Sequence, residues 1–263
     1  NDDLAKKGVE GLTKLKPAPL FSSKNSSLIT PCTYDNDLEK LNDCDLIIEA
    51  VAEKIEIKHS VYKSLLPHLK DDAILASNTS GIPLANLVEV LPDEVQSRFL
   101  ISHFFNPPRY LRLLELVKGP KTSDEVYHTV TEFGETTLGK GIVHAKDTPG
   151  FIGNRLINAS GPLTFHKAME FGLSVEDVDA LSGTLIGNAK SAYFRTQDVV
   201  GLDTALNVMN NMYDRVTTES EEERQKFKAP DLLVKLVEDG RLGQKSGQGW
   251  YKKEGKEILS LDF

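Results

Sequence analysis

Short apolar runs recur through the first half of this 263-residue chain and alternate with helical patterns. Five runs have the length and composition of buried strands, at residues 46–51, 73–76, 99–101, 113–117 and 142–144. Two stripes with helical spacing separate the first three runs: Ile57, Val61, Leu65 and Leu69, then Leu84, Leu87, Val88 and Leu91. This alternation predicts a parallel sheet wrapped by helices, with ligands binding at the carboxyl ends of the strands.

From residue 147 onward the sequence shows helical patterns. Thr148 is a favourable N-cap and Pro149 suits a first helical position, so we expect a helix over 149–171. Further helices are expected after the cap Ser174, around 198–216, and over 229–239 before Gly240, with the acidic stretch 219–224 as a solvated loop or helix start. We therefore predict an α/β fold with two domains, a sheet domain over 1–146 and an all-α domain over 147–263.

Composition limits the class of protein. Hydrophobic residues make up 40% and charged residues 27% of the chain, which is typical of a soluble globular protein. The net charge of −8 argues against a nucleic-acid binder, which needs a basic face. Two cysteines, Cys32 and Cys44, provide neither a disulfide framework nor a metal site, and no apolar run reaches the ~20 residues that cross a bilayer. No signal peptide opens the chain, so we expect a cytoplasmic protein without a bound metal or a membrane span.

One carboxylate interrupts an apolar strand. Glu115 lies in the middle of the run 113–117, and a buried carboxylate needs a partner. His103, which follows the apolar run 99–101, is the obvious candidate. A carboxylate that fixes the tautomer of a histidine and supports its positive charge produces a general base, whereas the alternative is an unrelated core histidine and surface glutamate.

Four segments around this pair resemble the 3-hydroxyacyl-CoA dehydrogenase family. They are SNTS at 77–80, HFFNP at 103–107, LELV at 114–117 and KDTPGFIGNR at 146–155, and they occur in the order of the family. The resemblance continues through DVVGLD at 198–203 to GQGWY at 247–251 and is greatest to the long bacterial members fused to a hydratase-type domain, which this sequence does not contain. It implies a Rossmann-type NAD-binding domain followed by a helical domain that closes over the substrate and forms a homodimer.

The resemblance also implies an activity in fatty-acid β-oxidation. The reaction is the oxidation of a (3S)-3-hydroxyacyl-CoA to the 3-oxoacyl-CoA, with hydride passing to NAD⁺. By this resemblance His103 is the base, Glu115 orients it, Ser80 hydrogen-bonds the substrate oxygen, and Asn154 helps to position the reacting group. Ser80 also suits an ordinary turn or N-cap position before a helix near Pro83.

Further residues match binding positions of the family. Those implied to contact NAD along its nicotinamide ribose and phosphates are Ala50, Glu53, Lys58, Asn78, Asn106 and Lys245. Lys14 and Lys16, on the opening basic segment, resemble the region that meets the phosphates of coenzyme A. Lys58 and Lys245 also fit the simpler description of solvated surface lysines.

Neither of two common phosphate-binding motifs is complete in this sequence. A dinucleotide-binding fold opens with a strand, a Gly-x-Gly-x-x-Gly loop and a helix, and this motif is absent from the sequence, so we expect a truncated domain without its first βαβ unit. The stretch GETTLGK at 134–140 resembles a P-loop, but Gly141 follows where Ser or Thr would bind magnesium. Nucleotide hydrolysis is therefore not expected.

The sequence leaves two alternatives open. The related β-hydroxyacid dehydrogenases use a lysine as the acid/base residue, whereas this chain offers a histidine with a glutamate. The second alternative is an inactive fragment that acts only as an acyl-CoA-binding or dimerisation module.

Overall fold

The computed structural model describes residues 2–217 and 220–263. The chain divides into two compact units, the first extending to Phe151 and the second beginning at Ile152. The boundary predicted from the sequence precedes residue 147, so the segment 147–151 falls in the first unit.

The first unit contains one five-stranded sheet. The strands are β1 (Leu46–Glu49), β2 (Ile74–Ser77), β3 (Phe99–Phe104), β4 (Leu113–Lys118) and β5 (Gly141–Ala145), in the spatial order β1-β2-β3-β4-β5. Each coincides with one of the predicted runs. The expected parallel sheet is nevertheless mixed, because β3 and β4 pair antiparallel. Only residues 105–112 connect these two strands, and a parallel crossover needs a dozen residues or more.

Helices and short turns connect the strands. The α-helices of this unit are α1 (Asp2–Leu12), α2 (Ile55–Leu65), α3 (Leu84–Val88), α4 (Asp93–Gln96) and α5 (Asp124–Glu132). Helix α5 continues into a π-helical turn, Phe133–Thr137, so the stretch resembling a P-loop begins at the end of a helix and not after a strand. Short 3₁₀ helices occur at Ser23–Leu28, Leu38–Asp43 and Leu66–His68.

The buried face of α2 differs from the predicted one. Ile57, the first residue of the predicted stripe, is 40% exposed, whereas the neighbouring Lys58 is 1% exposed. The buried residues of the helix are Lys58, Tyr62 and Leu65. In β1, Ile48 is likewise exposed while Glu49 is buried. Charged side chains thus occupy interior positions that the apolar pattern assigns to isoleucines, because each finds a charged partner there.

The second unit consists mainly of helices. They are α6 (Gly153–Phe171), α7 (Val175–Ser182), α8 (Phe194–Val200), α9 (Leu202–Arg215), α10 (Glu221–Gln225) and α11 (Asp231–Glu238). Ser174 caps α7 in a reciprocal capping box with Asp177, as its position predicts. Glu219, in the acidic stretch, lies outside the described residues, and Ser220 caps α10.

Three predictions for this half were wrong in detail. Helix α6 begins at Gly153 and not at Pro149, because Gly150 and Phe151 adopt positive φ angles of 72° and 48° that form a turn. The helix expected over 198–216 is two helices, divided at Gly201 with φ 104°. The unit is also not all-α, since β6 (Tyr251–Glu254) and β7 (Glu257–Ser260) form an antiparallel hairpin.

The core of the second unit surrounds Trp250, which is 1% exposed and packs against Phe165 and Phe194. The Asp198 carboxylate accepts hydrogen bonds from the backbone N–H groups of Trp250 and Tyr251 at 2.9 and 2.8 Å. This carboxylate therefore anchors the hairpin to α8. Within the part of the chain that the structure describes, no helix combines the length and apolar character needed to cross a membrane.

Candidate active site

His103 and Glu115 lie opposite each other on the antiparallel strands β3 and β4. The Glu115 carboxylate accepts a hydrogen bond from Nδ1 of His103 at 2.7 Å. His103 is 6% exposed and Glu115 is fully buried. When Nδ1 donates to the carboxylate, Nε2 is the nitrogen left to accept a proton. The arrangement can therefore act as a general base whose positive charge is stabilised after protonation.

Aromatic rings flank the imidazole. The ring centroid of Phe105 lies 4.5 Å from that of His103, and the ring centroid of Phe151 lies 5.7 Å from it. Phe151 is 2% exposed and has a φ of 48°, which is an unfavourable conformation for a bulky residue. The turn before α6 thus accepts backbone strain and places an apolar ring beside His103.

Ser80 lies in the turn that follows β2. Both its backbone N–H and its hydroxyl donate to Oε1 of Glu53, at 2.9 and 3.3 Å, and the Thr79 hydroxyl donates to the same oxygen at 2.6 Å. Ser80 does not cap α3; the side chain of Asp147 instead accepts hydrogen bonds from the Leu84 N–H, at 3.0 Å to each oxygen. Two carboxylates therefore fix the two ends of the turn that carries Ser80.

Glu53 lies between β1 and α2, and its partly exposed carboxylate binds the turn that carries Ser80. Burial alone would raise the pKa of Glu53, but the hydrogen bonds from Thr79 and Ser80 and the nearby Lys58 ammonium outweigh this effect. The pKa of Glu53 is therefore lowered, and the group remains ionised in neutral solution. An ionised carboxylate can accept hydrogen bonds from the hydroxyl groups of a sugar.

Asn78 connects this turn to the strand of the histidine. Its Oδ1 accepts a hydrogen bond from the backbone N–H of Phe104 at 2.9 Å, and its own N–H donates to the carbonyl of Glu49 at 2.7 Å. Ala50 follows β1 and is exposed, and Asn106 is exposed after β3. The carboxyl ends of β1, β2 and β3 thus carry Ala50, Asn78 and Asn106, while His103 lies within β3 and not beyond its end.

Lys58 is not the solvated lysine that sequence reasoning considered. Its Nζ lies 2.8 and 3.0 Å from the two carboxylate oxygens of Glu49 and 3.4 Å from Oε2 of Glu53. Glu49 is 3% exposed and also accepts hydrogen bonds from Tyr62 and Ser77. A buried ion pair therefore lies directly behind Glu53.

The remaining candidates lie in other parts of the chain. Lys14 and Lys16 are exposed after α1. Asn154 is partly buried in the first turn of α6, in the second unit, and its carbonyl accepts a hydrogen bond from the Asn158 side chain. Lys245 is exposed in the second unit and forms an ion pair with Asp203 at the start of α9.

Sequence reasoning missed three residues of this region, namely Glu49, Asp147 and Phe151. Glu49 interrupts the apolar run 46–51 just as Glu115 interrupts the run 113–117, so the same requirement for a buried partner could have identified it. Asp147 and Phe151 had no comparable signal, because their contacts depend on a turn that the sequence pattern assigned to a helix.

The fold and these polar strand ends define a Rossmann-like dinucleotide-binding domain joined to a helical domain. Residues 2–148 match the NAD-binding domain of 3-hydroxyacyl-CoA dehydrogenase, and residues 150–253 match its C-terminal domain. The chain belongs to the 3-hydroxyacyl-CoA dehydrogenase family. NAD is the cofactor of the domain that the first half matches.

Individual relatives agree with this assignment. A probable 3-hydroxyacyl-CoA dehydrogenase of Bacillus subtilis is 44% identical over 98% of this chain, and one of Deinococcus radiodurans is 41% identical over 97%. The chain spans 32% of the length of the first relative and 72% of the second. The crystal structure of (S)-3-hydroxybutyryl-CoA dehydrogenase from Ralstonia eutropha aligns with a TM-score of 0.78 and 29% identity, covering 97% of this chain and 88% of that one.

Proposed function

We propose that the protein oxidises (3S)-3-hydroxyacyl-CoA thioesters to 3-oxoacyl-CoA with NAD⁺, as a cytoplasmic enzyme of fatty-acid β-oxidation. The observation that carries this proposal is the buried hydrogen bond between His103 and Glu115. A pair of this kind supports a base that removes the hydroxyl proton while hydride leaves the adjacent carbon. The names of relatives refer to 3-hydroxyacyl-CoA and 3-hydroxybutyryl-CoA, and this supports the choice of substrate class.

His103 would take the hydroxyl proton on Nε2 and return it in the reverse reaction. Glu115 would stabilise the resulting imidazolium without itself accepting the proton. Phe105 and Phe151 would keep water away from the imidazole, and Ser80 would hold the substrate oxygen by a hydrogen bond. Asn154 is proposed to help position the same reacting group.

The donor set at the strand ends fits the nicotinamide half of NAD. Glu53 presents an ionised carboxylate suited to ribose hydroxyls, and Asn78, Asn106 and Ala50 lie at the same ends of the strands. When bound, NAD⁺ supplies the acceptor for the hydride. We propose that Lys245 meets the same cofactor, and that Lys14 and Lys16 meet the phosphates of coenzyme A.

The exposed face of α6 supports a homodimer. Leu156, Ile157 and Leu163 are 66%, 63% and 56% exposed on this helix, although they are large and apolar. Large apolar side chains exposed together on one helix are typical of an interaction surface. Replacing Ile157 with Asp should convert a dimer to a monomer in sedimentation equilibrium, and an unchanged mass would contradict this part of the proposal.

The experiment that tests the reaction compares three proteins in the oxidation of NADH by acetoacetyl-CoA. The unaltered protein should turn over, His103→Gln should lose about 10²–10⁴-fold in kcat, and His128→Gln should behave as the unaltered protein. His128 is an exposed histidine on α5 and serves as the matched control. Substantial activity in His103→Gln would refute the assigned base, and inactivity of the folded unaltered protein would refute the function of this chain.

A further inference from the structure

A cluster of opposite charges lies buried behind the turn that carries Ser80. The Glu49 side chain is fully buried, the Lys58 side chain is 1% exposed, and Lys58 Nζ contacts both oxygens of the Glu49 carboxylate. Removing two charges from water costs as much as their attraction returns, so a buried ion pair is weak evidence for a stabilising role. The contacts of the Glu49–Lys58 pair therefore say more about its role than the strength of the ion pair does.

Each oxygen of Glu49 is held from more than one side. Oε1 accepts hydrogen bonds from Lys58 and from the backbone N–H of Val51 at 2.7 Å. Oε2 accepts hydrogen bonds from Lys58, from the Tyr62 hydroxyl at 2.9 Å, and from the Ser77 hydroxyl at 2.8 Å. The carboxylate thus joins the segment leaving β1, the helix α2 and the last residue of β2. Because several donors bind each of its oxygens, this carboxylate is held in one orientation.

Lys58 extends this cluster to the surface. Its ammonium, fixed by Glu49, also lies 3.4 Å from Oε2 of Glu53. The other oxygen of Glu53 receives the Thr79 hydroxyl and the backbone N–H of Ser80. The ammonium on one side and the turn on the other determine the direction of the Glu53 carboxylate. The contacts therefore form a continuous chain from Glu49 through Lys58 and Glu53 to Ser80.

We propose that Glu49 and Lys58 are positioning residues of the reaction, which orient Glu53 and Ser80 from behind without contacting the substrate. This inference rests on the proposed function for its effect on turnover. Lys58, which the family resemblance presents as a cofactor contact, acts through Glu53 in this arrangement. A displacement of about 1 Å in a reacting geometry can cost as much as 10²-fold in rate, so the effect is measurable.

The test replaces both charges together, as Glu49→Gln with Lys58→Met, because removing only one would leave a buried charge unpaired. The double variant should stay folded, with a melting temperature close to that of the unaltered protein. Its kcat should fall by roughly 10–100-fold with a smaller change in KM. The exchange of the Ser80 amide hydrogen should accelerate by about tenfold, because its acceptor Glu53 is no longer held.

A control variant separates positioning from general destabilisation. Asp179 is a half-buried carboxylate in the second unit that accepts hydrogen bonds from the Phe194 and Arg195 N–H groups and from the Tyr251 hydroxyl. Asp179→Asn should lower the melting temperature but leave the exchange of the Ser80 amide unchanged. If the double variant melts too low for assay, Tyr62→Phe removes one hydrogen bond to Glu49 without altering charge, and it should show the same two effects at smaller size.

The possible results are distinguishable. Normal kcat and normal Ser80 exchange in the folded double variant would overturn the positioning role. Accelerated Ser80 exchange with reduced kcat would support it. If the unaltered protein is inactive while Ser80 exchange still accelerates in the variant, the positioning of the turn is supported and the proposed dehydrogenase activity of this chain is refuted.

Discussion

The Nδ1 atom of His103 lies 2.7 Å from a carboxylate oxygen of Glu115, across the antiparallel pair β3 and β4. This pairing depends on the short connection between the two strands, which reverses the chain direction and brings residues twelve positions apart into register. Both side chains are almost inaccessible to solvent, so water does not weaken their interaction.

Replacing Glu115 with Gln should lower kcat by about 10²–10⁴-fold while the chain stays folded. The amide keeps the size of the carboxylate, but it supports neither the required tautomer nor the positive charge of His103. The measurement is steady-state NADH oxidation with acetoacetyl-CoA. Glu132→Gln, at an exposed position on α5, is the matched control and should retain full activity. Retention of most activity in Glu115→Gln would show that the carboxylate is not needed for the base.

Replacing Asp147 with Ala should lower the free energy of unfolding by about 1 kcal/mol, because α3 then loses the acceptor at its first turn. The measurement is urea denaturation, and Lys146→Ala is the control because Lys146 is a neighbouring exposed residue. The control should change the free energy of unfolding by less than about 0.5 kcal/mol in either direction, as most surface substitutions do. Equal stabilities of the two variants would contradict the capping role.

The strands could be predicted from the sequence because each is a short apolar run. Such a run is typical of a strand that is buried on both faces of a sheet. Their relative direction could not be predicted from the same runs. The antiparallel pairing of β3 with β4 depends on the length of the connecting loop, and the apolar pattern does not contain that information.

Charged interior residues explain much of what the sequence pattern missed. The apolar stripe of α2 predicts Ile57 as an interior residue. Lys58 is buried instead, because it forms an ion pair with the buried carboxylate of Glu49. Each charge alone argues against burial, and only the pair makes burial possible. A one-dimensional pattern treats residues singly and therefore assigns both side chains to the surface.

Some residues of the candidate active site could likewise be predicted from the sequence and others could not. His103 with Glu115 could be inferred, because a carboxylate in an apolar run requires a partner and one histidine stood nearby. Phe151 could not be inferred, because its place beside the imidazole depends on a positive φ angle in a turn. Thr148 and Pro149 are both favourable at the start of a helix. The turn at Gly150 overrides this local preference, and the helix begins later.

Replacing Gly249 with Ala should destabilise the second unit by about 3 kcal/mol or more. A Cβ atom at this position would lie 2.0 Å from Oδ1 of Asp198 and 2.7 Å from the Cα of Gly243. The Asp198 carboxylate would have to move, and the hydrogen bonds to Trp250 and Tyr251 would be lost with it.

The measurement for Gly249→Ala is thermal denaturation followed by Trp250 fluorescence, which reports on this core. Gly255→Ala is the control, because Gly255 has a φ of 60° but open space around the added carbon. The control should cost about 1–2 kcal/mol from backbone strain alone. A smaller loss in Gly249→Ala than in the control would show that the hairpin tolerates displacement of Asp198.

The lowered pKa of Glu53 predicts a dependence of the Ser80 turn on acidity. A carboxyl group whose pKa is lower in the folded state than in the unfolded state stabilises the fold above its ordinary pKa, and this contribution is lost as the pH falls through the folded value. The Glu53 carboxyl should therefore titrate below the ordinary value of 4.5 in carbon-detected NMR, and the amide signals of Thr79 and Ser80 should shift with the same midpoint. In the double variant Glu49→Gln with Lys58→Met the midpoint should rise, because the ammonium that favours the ionised form of Glu53 is gone and no buried charge is left unpaired. A midpoint at or above 4.5 in the unaltered protein would mean that burial outweighs these hydrogen bonds and that Glu53 does not hold the turn.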